Sequence, residues 1–94
     1  MKKNIVEQIA SKYGKAVQYV GGDFGDYIRI TKGKNIEVTV DIDRDFRTGE
    51  LTTYNITWAS SNYSAKEAMD MAYCTSIASQ IGKELQKLGV KYAN

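Results

Sequence analysis

SAKEAMDMAYCTSIASQIGKELQKL, residues 64–88, is the stretch on which the fold turns. Ala65, Ala68, Met69, Ala72, Tyr73, Ile77, Ala78, Ile81, Leu85 and Leu88 fall three or four apart, the spacing of a helix that buries one stripe. Ser64 followed by Glu67 makes a capping box, in which the serine oxygen accepts the third helical N–H and the glutamate returns the bond. Gly89 ends the run, because glycine takes a left-handed cap without steric cost, and Val90 then falls where a Schellman cap brings it onto Leu85. A rod of that length, roughly 37 Å at 1.5 Å per residue, needs a sheet face to lie along. Ala72, Ser76, Ser79 and Gly82 place small side chains mid-helix, which points to a close approach by a sheet or the first helix, or to a dimer seam.

Outward from that helix the chain alternates. Ile36, Val38, Val40 and Ile42 interleave with Glu37, Thr39, Asp41 and Asp43, the pattern of a strand with one wet face. Before it, Tyr27 to Lys32 sets Ile28 and Ile30 against Tyr27, Arg29 and Thr31, and Gly33-Lys34-Asn35 supplies the turn. After it, Leu51 to Ala59 sets Tyr54, Ile56 and Trp58 against Thr53, Asn55 and Thr57. Ala16 to Val20 reads as a first strand, and Ile5, Val6, Ile9, Ala10 and Tyr13 as a short helix from about residue 3 that stops at Gly14. The expected fold is α+β in two layers: an antiparallel meander of three or four strands, with an N-terminal and a long C-terminal helix packed on one face, in the order α-β-β-β(-β)-α.

The 94 residues suit one domain, 1–94, and 43% hydrophobic with 26% charged residues is ordinary for a soluble globule. Apolar runs are too short for a membrane span, and Glu7, Gln8, Ser11 and Lys12 interrupt any secretion signal, so a cytoplasmic chain is expected. The net charge of +2 is unevenly spread: residues 1–15 are basic through Lys2, Lys3, Lys12 and Lys15, whereas residues 36–63 are acidic through Glu37, Asp41, Asp43, Asp45 and Glu50.

Catalytic constellations are scarce. Without histidine the chain lacks the commonest general base and zinc ligand, and one cysteine, Cys74, cannot supply a disulfide or a structural zinc site. Its place in the helix suits a buried hydrophobe better than a nucleophile. Asp41, Asp43 and Asp45 begin like an EF-hand loop, but Phe46 stands where its glycine belongs and Thr52 where its bidentate glutamate belongs. The three are read as outward strand and turn residues, with hard-cation binding as the alternative. Gly21-Gly22-Asp23-Phe24-Gly25 is followed by a strand and not by a helix N-terminus, so it reads as a hairpin connection or as a loop that presents Phe24. No enzyme activity, metal or cofactor is expected.

What remains is an exposed surface. Phe24, Tyr27, Arg29, Asp41, Phe46, Thr53 and Asn55 are the expected partner-binding residues, since aromatics and arginines anchor protein interfaces and short polar side chains form their rims. The chain is thus read as a non-catalytic protein-binding module, monomeric or homodimeric. By analogy of type it would be a small phage or mobile-element accessory protein that inhibits a host defence protein such as a CRISPR nuclease. The alternative partner is nucleic acid. The element order, and the junction Trp58-Ala59-Ser60-Ser61-Asn62-Tyr63-Ser64-Ala65-Lys66-Glu67-Ala68, loosely resemble the double-stranded-RNA-binding domain. In that family lysines at the last helix start grip phosphates. Lys66 alone matches, Glu67 and Asp70 carry the opposite sign, and no Gly-Pro-x-His loop is present. Lys2, Lys3, Lys12, Lys32, Lys34 and Lys66 are the candidate contacts of that reading.

Overall fold

Ser64 caps the long helix as its sequence requires: its side chain accepts the Glu67 N–H and the Glu67 carboxylate accepts the Ser64 N–H. The computed structural model describes residues 4–22, 25–58 and 64–93, and Ala59 of the last expected strand lies outside them. Within these residues the elements are α1 (Ile5–Ser11), β1 (Val17–Gly21), β2 (Gly25–Lys32), β3 (Ile36–Arg44), β4 (Leu51–Trp58), α2 (Ala65–Lys87) and β5 (Lys91–Tyr92). The expected α-β-β-β-β-α order is present.

β1 to β4 form an antiparallel meander with Val17 opposite Ile30, Ile28 opposite Val40, and Val40 opposite Ile56. The sheet is mixed, because β5 adds to β4 in parallel over Thr53 and Tyr54. The cap of α2 makes this fifth strand: Gly89 turns the chain at φ +89°, Val90 N–H donates to the Leu85 carbonyl and Gly89 N–H to that of Gln86, the two bonds of a Schellman motif. The chain then emerges beside β4. A two-residue strand carries no periodicity to read in advance.

Both helices bury against one face of the sheet. Val6, Ile9 and Ala10 of α1 and Cys74, Ile77, Ala78, Ile81 and Leu85 of α2 join Ile28, Ile30, Val38, Val40, Ile42 and Tyr54 in one core. The expected α2 stripe needs correction, because Ala65, Ala68, Met69, Ala72, Tyr73 and Leu88 are exposed. Met69, Tyr73, Ile77, Ile81 and Leu85 are successive steps of four, and each step advances about 40° on a helix of 3.6 residues per turn. From Met69 to Leu85 the drift is about 160°, so the stripe winds from the solvent side to the core side.

The first turns of α2 lie over the β2–β3 turn, where Asn35 donates to Glu67 and the Lys32 ammonium sits 4.5 Å from the Tyr73 ring centroid. Among the described residues no helix lies over the last residues of β4. Trp58 therefore stays 53% exposed although it shares the core-side register of Val38. Of the four small residues only Gly82 is packed, against Tyr54 of the sheet, while Ala72, Ser76 and Ser79 are exposed.

The candidate interaction face of the sheet

Alternation puts one set of β2, β3 and β4 side chains opposite the core, and no helix or strand among the described residues covers that side. Tyr27, Asp41 and Asn55 form one row across the three strands; Arg29, Thr39 and Thr57 form the next. Thr53 reaches Asp43, its hydroxyl donating to Oδ2 at 3.1 Å. Five of the seven expected partner-binding residues, Tyr27, Arg29, Asp41, Thr53 and Asn55, thus share one surface.

The other two do not join that group. Phe46 stands on the β3–β4 connection, beyond the strand ends and 82% exposed, with the Arg47 guanidinium 5.8 Å from its ring centroid. Phe24 lies outside the described residues.

The side chains of this face hold one another in place. The Arg29 guanidinium donates from Nε and Nη2 to Oε1 of Glu37, which pushes its already high pKa further up. The Thr39 and Thr57 hydroxyls meet at 3.1 Å, and Thr57 donates to Asp41 Oδ2 at 3.2 Å. Lys91 of β5 pairs with Thr53 and so shares this side; with Glu37 balancing Arg29, Asp41 and Asp43 exceed that one cation and leave the face with a single net negative charge. A phosphate backbone is repelled by such a surface, whereas a basic protein surface is attracted.

Asp45 is turned away. Its carboxylate accepts the backbone N–H groups of Arg47 and Thr48 within its own turn, so Asp41, Asp43 and Asp45 do not converge. No group of three metal-ligating side chains stands together among the described residues. Cys74 is buried in the core, and burial pushes its thiol pKa up.

The candidate phosphate contacts are dispersed. Lys2 and Lys3 lie outside the described residues, and Lys12 is ion-paired with Glu84. Lys32 and Lys34 belong to the end of β2 and the β2–β3 turn and Lys66 to the first turn of α2, the region where Asn35 bonds Glu67 and Asp70 lies against Gly33. The Ser64 N–H and then the Asn35 amide hold the Glu67 carboxyl below its usual range, so negative charge persists there.

A polar network under the opposite edge of the sheet is absent from the sequence reading. Asp26, one residue ahead of the expected strand start at Tyr27, is a buried β2 residue: Tyr19 donates to its Oδ1 at 2.8 Å and Arg44 Nε to its Oδ2 at 2.8 Å. Asn4 donates to the Tyr19 hydroxyl at 2.6 Å, and Arg44 also donates to the Gly49 carbonyl. A cleft of about 530 Å³ opens beside it, but each of these groups is engaged within the fold. The available signal was periodicity, since Asp26, Ile28 and Ile30 are two apart.

No protein-family model matches the chain, and no curated protein or solved structure matches it. No helix among the described residues is long and apolar enough to cross a membrane.

Proposed function

We propose that this chain is a non-catalytic protein-binding module whose open sheet face, centred on Tyr27, Arg29, Asp41, Thr53 and Asn55, docks a basic surface of another protein. The observation that carries the reading is the shared row of Tyr27, Asp41 and Asn55 beside that of Arg29, Thr39 and Thr57. An aromatic and an arginine are set among short polar side chains on a preordered, acidic plane. Preordering reduces the entropy lost on association, and the charge favours encounter with a cationic partner.

A basic surface is what proteins that handle nucleic acid present. This is consistent with a phage or mobile-element accessory role in which the module occupies a host defence protein such as a CRISPR nuclease. That role rests on analogy of type, namely a small chain with no catalytic constellation in its sequence. The nucleic-acid reading draws on Lys32, Lys34 and Lys66 at one end of the sheet, and the Glu67 and Asp70 charges beside them weaken it.

The test pairs capture with stability. The immobilised chain should retain a stoichiometric partner from host extract, and Asp41→Arg or Asp43→Arg, each reversing a charge that draws a basic partner, should lose it with an unchanged melting temperature. If capture survives both reversals, the face is misassigned. Retention on duplex RNA that falls steeply with salt would instead support the nucleic-acid reading.

A further inference from the structure

The two edges of the sheet are treated differently. On the β4 side, β5 pairs with Thr53 and Tyr54, Ala93 N–H donates to the Tyr54 carbonyl, and Asn55 Oδ1 takes the Ile56 N–H. Backbone groups two residues apart on a strand point the same way, so these contacts occupy the outward groups of Tyr54 and the outward N–H of Ile56 in the middle of β4. On the β1 side, Thr31 N–H donates to the Ala16 carbonyl, so Ala16, Gln18 and Val20 turn their backbone groups toward β2. Val17, Tyr19 and Gly21 turn theirs outward. Val17 N–H is taken by Gly14, but among the described residues no strand pairs with the outward groups of Tyr19 and Gly21. The strand reads Val-Gln-Tyr-Val-Gly, without the charge or proline by which edges are commonly blunted.

A groove runs beside this edge. It has a volume of about 210 Å³ and lies between α1 and β1, lined by Glu7, Ala10, Ser11, Val17, Gln18 and Tyr19. Ala10 and Val17 are buried apolar residues, and Glu7 is the one carboxylate on the lining. Open backbone groups beside a side-chain groove are the two parts of strand addition, the first giving affinity and the second selectivity.

We propose that the outer edge of β1 receives an extended segment of a partner protein, added antiparallel at Tyr19 and Gly21. It sets a small apolar side chain over Ala10 and Val17 and a basic side chain toward Glu7. A second copy of this chain fits less well, because its own Val17 is buried in the core and its Tyr19 hydroxyl is bound to Asn4 and Asp26, so neither can fill the groove of a neighbour. This edge reads backbone and stands apart from the open face proposed above.

The test uses the full chain, isotope-labelled, titrated with a blocked peptide of sequence threonine-lysine-threonine-valine-threonine. The amide signals of Tyr19 and Gly21 should shift most and exchange more slowly with solvent, while those of β4 stay in place. Methylating the peptide's lysine and valine nitrogens should abolish the effect. Replacing the peptide lysine by glutamate should weaken binding about threefold, the scale of an exposed cross-strand charge pair, and Glu7→Lys should reverse that preference. Asp41→Arg, which tests the open face, should leave the titration unchanged. Absence of shifts at millimolar peptide, equal binding of the methylated peptide, shifts centred on β4 or the open face, or edge-to-edge dimers of the free chain in sedimentation would each overturn the proposal.

Discussion

Tyr54 lies directly against Gly82: a Cβ built on that glycine would stand 2.9 Å from the tyrosine hydroxyl and 3.0 Å from its Cε2. The ring has little freedom to yield. It is buried, Gln86 donates to its hydroxyl at 2.8 Å, and Tyr92 meets it edge to face at 5.3 Å. Gly82→Ala should therefore destabilise the protein although alanine favours a helix by about 1 kcal/mol. Overpacking costs about 1–3 kcal/mol, so a net loss of up to about 2 kcal/mol is expected in denaturant melts. Adding Tyr54→Phe should recover part of it, because the hydroxyl is the nearest obstacle.

Asp26 and Arg44 form a second tight pair with unequal exposure. Arg44 Nη2 is 2.7 Å from Asp26 Oδ2, and the side chains are 26% and 4% exposed. Removing the arginine strands a carboxylate that water hardly reaches, whereas removing the carboxylate leaves a guanidinium that can still hydrate. Arg44→Met should cost about 3 kcal/mol, near the lower end for breaking a buried pair, and Asp26→Asn distinctly less. Equal losses in paired urea melts would contradict this asymmetry.

The elements that the sequence displayed most openly are those in which one local force acts alone. The alternation of Ile36 to Asp43 fixed β3, and Ser64, Glu67 and Gly89 fixed both ends of α2. Five of the seven expected interface residues came out on one face for the same reason, because period two assigns a face without knowledge of neighbours. What was hidden depends on pairing across the fold. The phase of α2 changes gradually along a run of four-residue steps, β5 exists only because the α2 cap delivers it to β4, and Asp26 is buried only because Arg44 offsets its charge and Tyr19 donates a hydrogen bond to it.

Alkaline stability should depend on Tyr13. Burial, then its hydrogen bond to Glu84, push the Tyr13 hydroxyl up to about 12. Lys12 first and Tyr13 second hold the Glu84 carboxyl below its usual range. A raised tyrosine pKa stabilises the fold below the unfolded value near 10 and is lost as pH rises through about 12. The lowered Glu84 value works oppositely, its contribution being present above the unfolded value and lost as pH falls through the folded one. Tyr13→Phe should flatten the alkaline decline in melting temperature and move the acid limb slightly upward in pH. A wild-type alkaline profile in the variant would show that the Tyr13–Glu84 bond carries no linkage.

The winding stripe of α2 gives the sharpest test of the packing. Met69 is 73% and Tyr73 46% exposed, while Ile81 and Leu85 are fully buried on the other side of the same helix. Met69→Lys should change stability by no more than about 0.5 kcal/mol, as for a surface site. Ile81→Ala removes a side chain enclosed by sheet and helix and should cost about 2–5 kcal/mol. Tyr73→Ala should fall between, since it loses the Lys32 ammonium held over its ring and the half of the side-chain surface that the fold covers. Were Met69 and Ile81 equally sensitive, both would face the core and α2 would have to be rotated or bent relative to the sheet. Because the two positions are twelve residues apart, three and a third turns of an ideal helix, no straight rod can turn both toward the same strand.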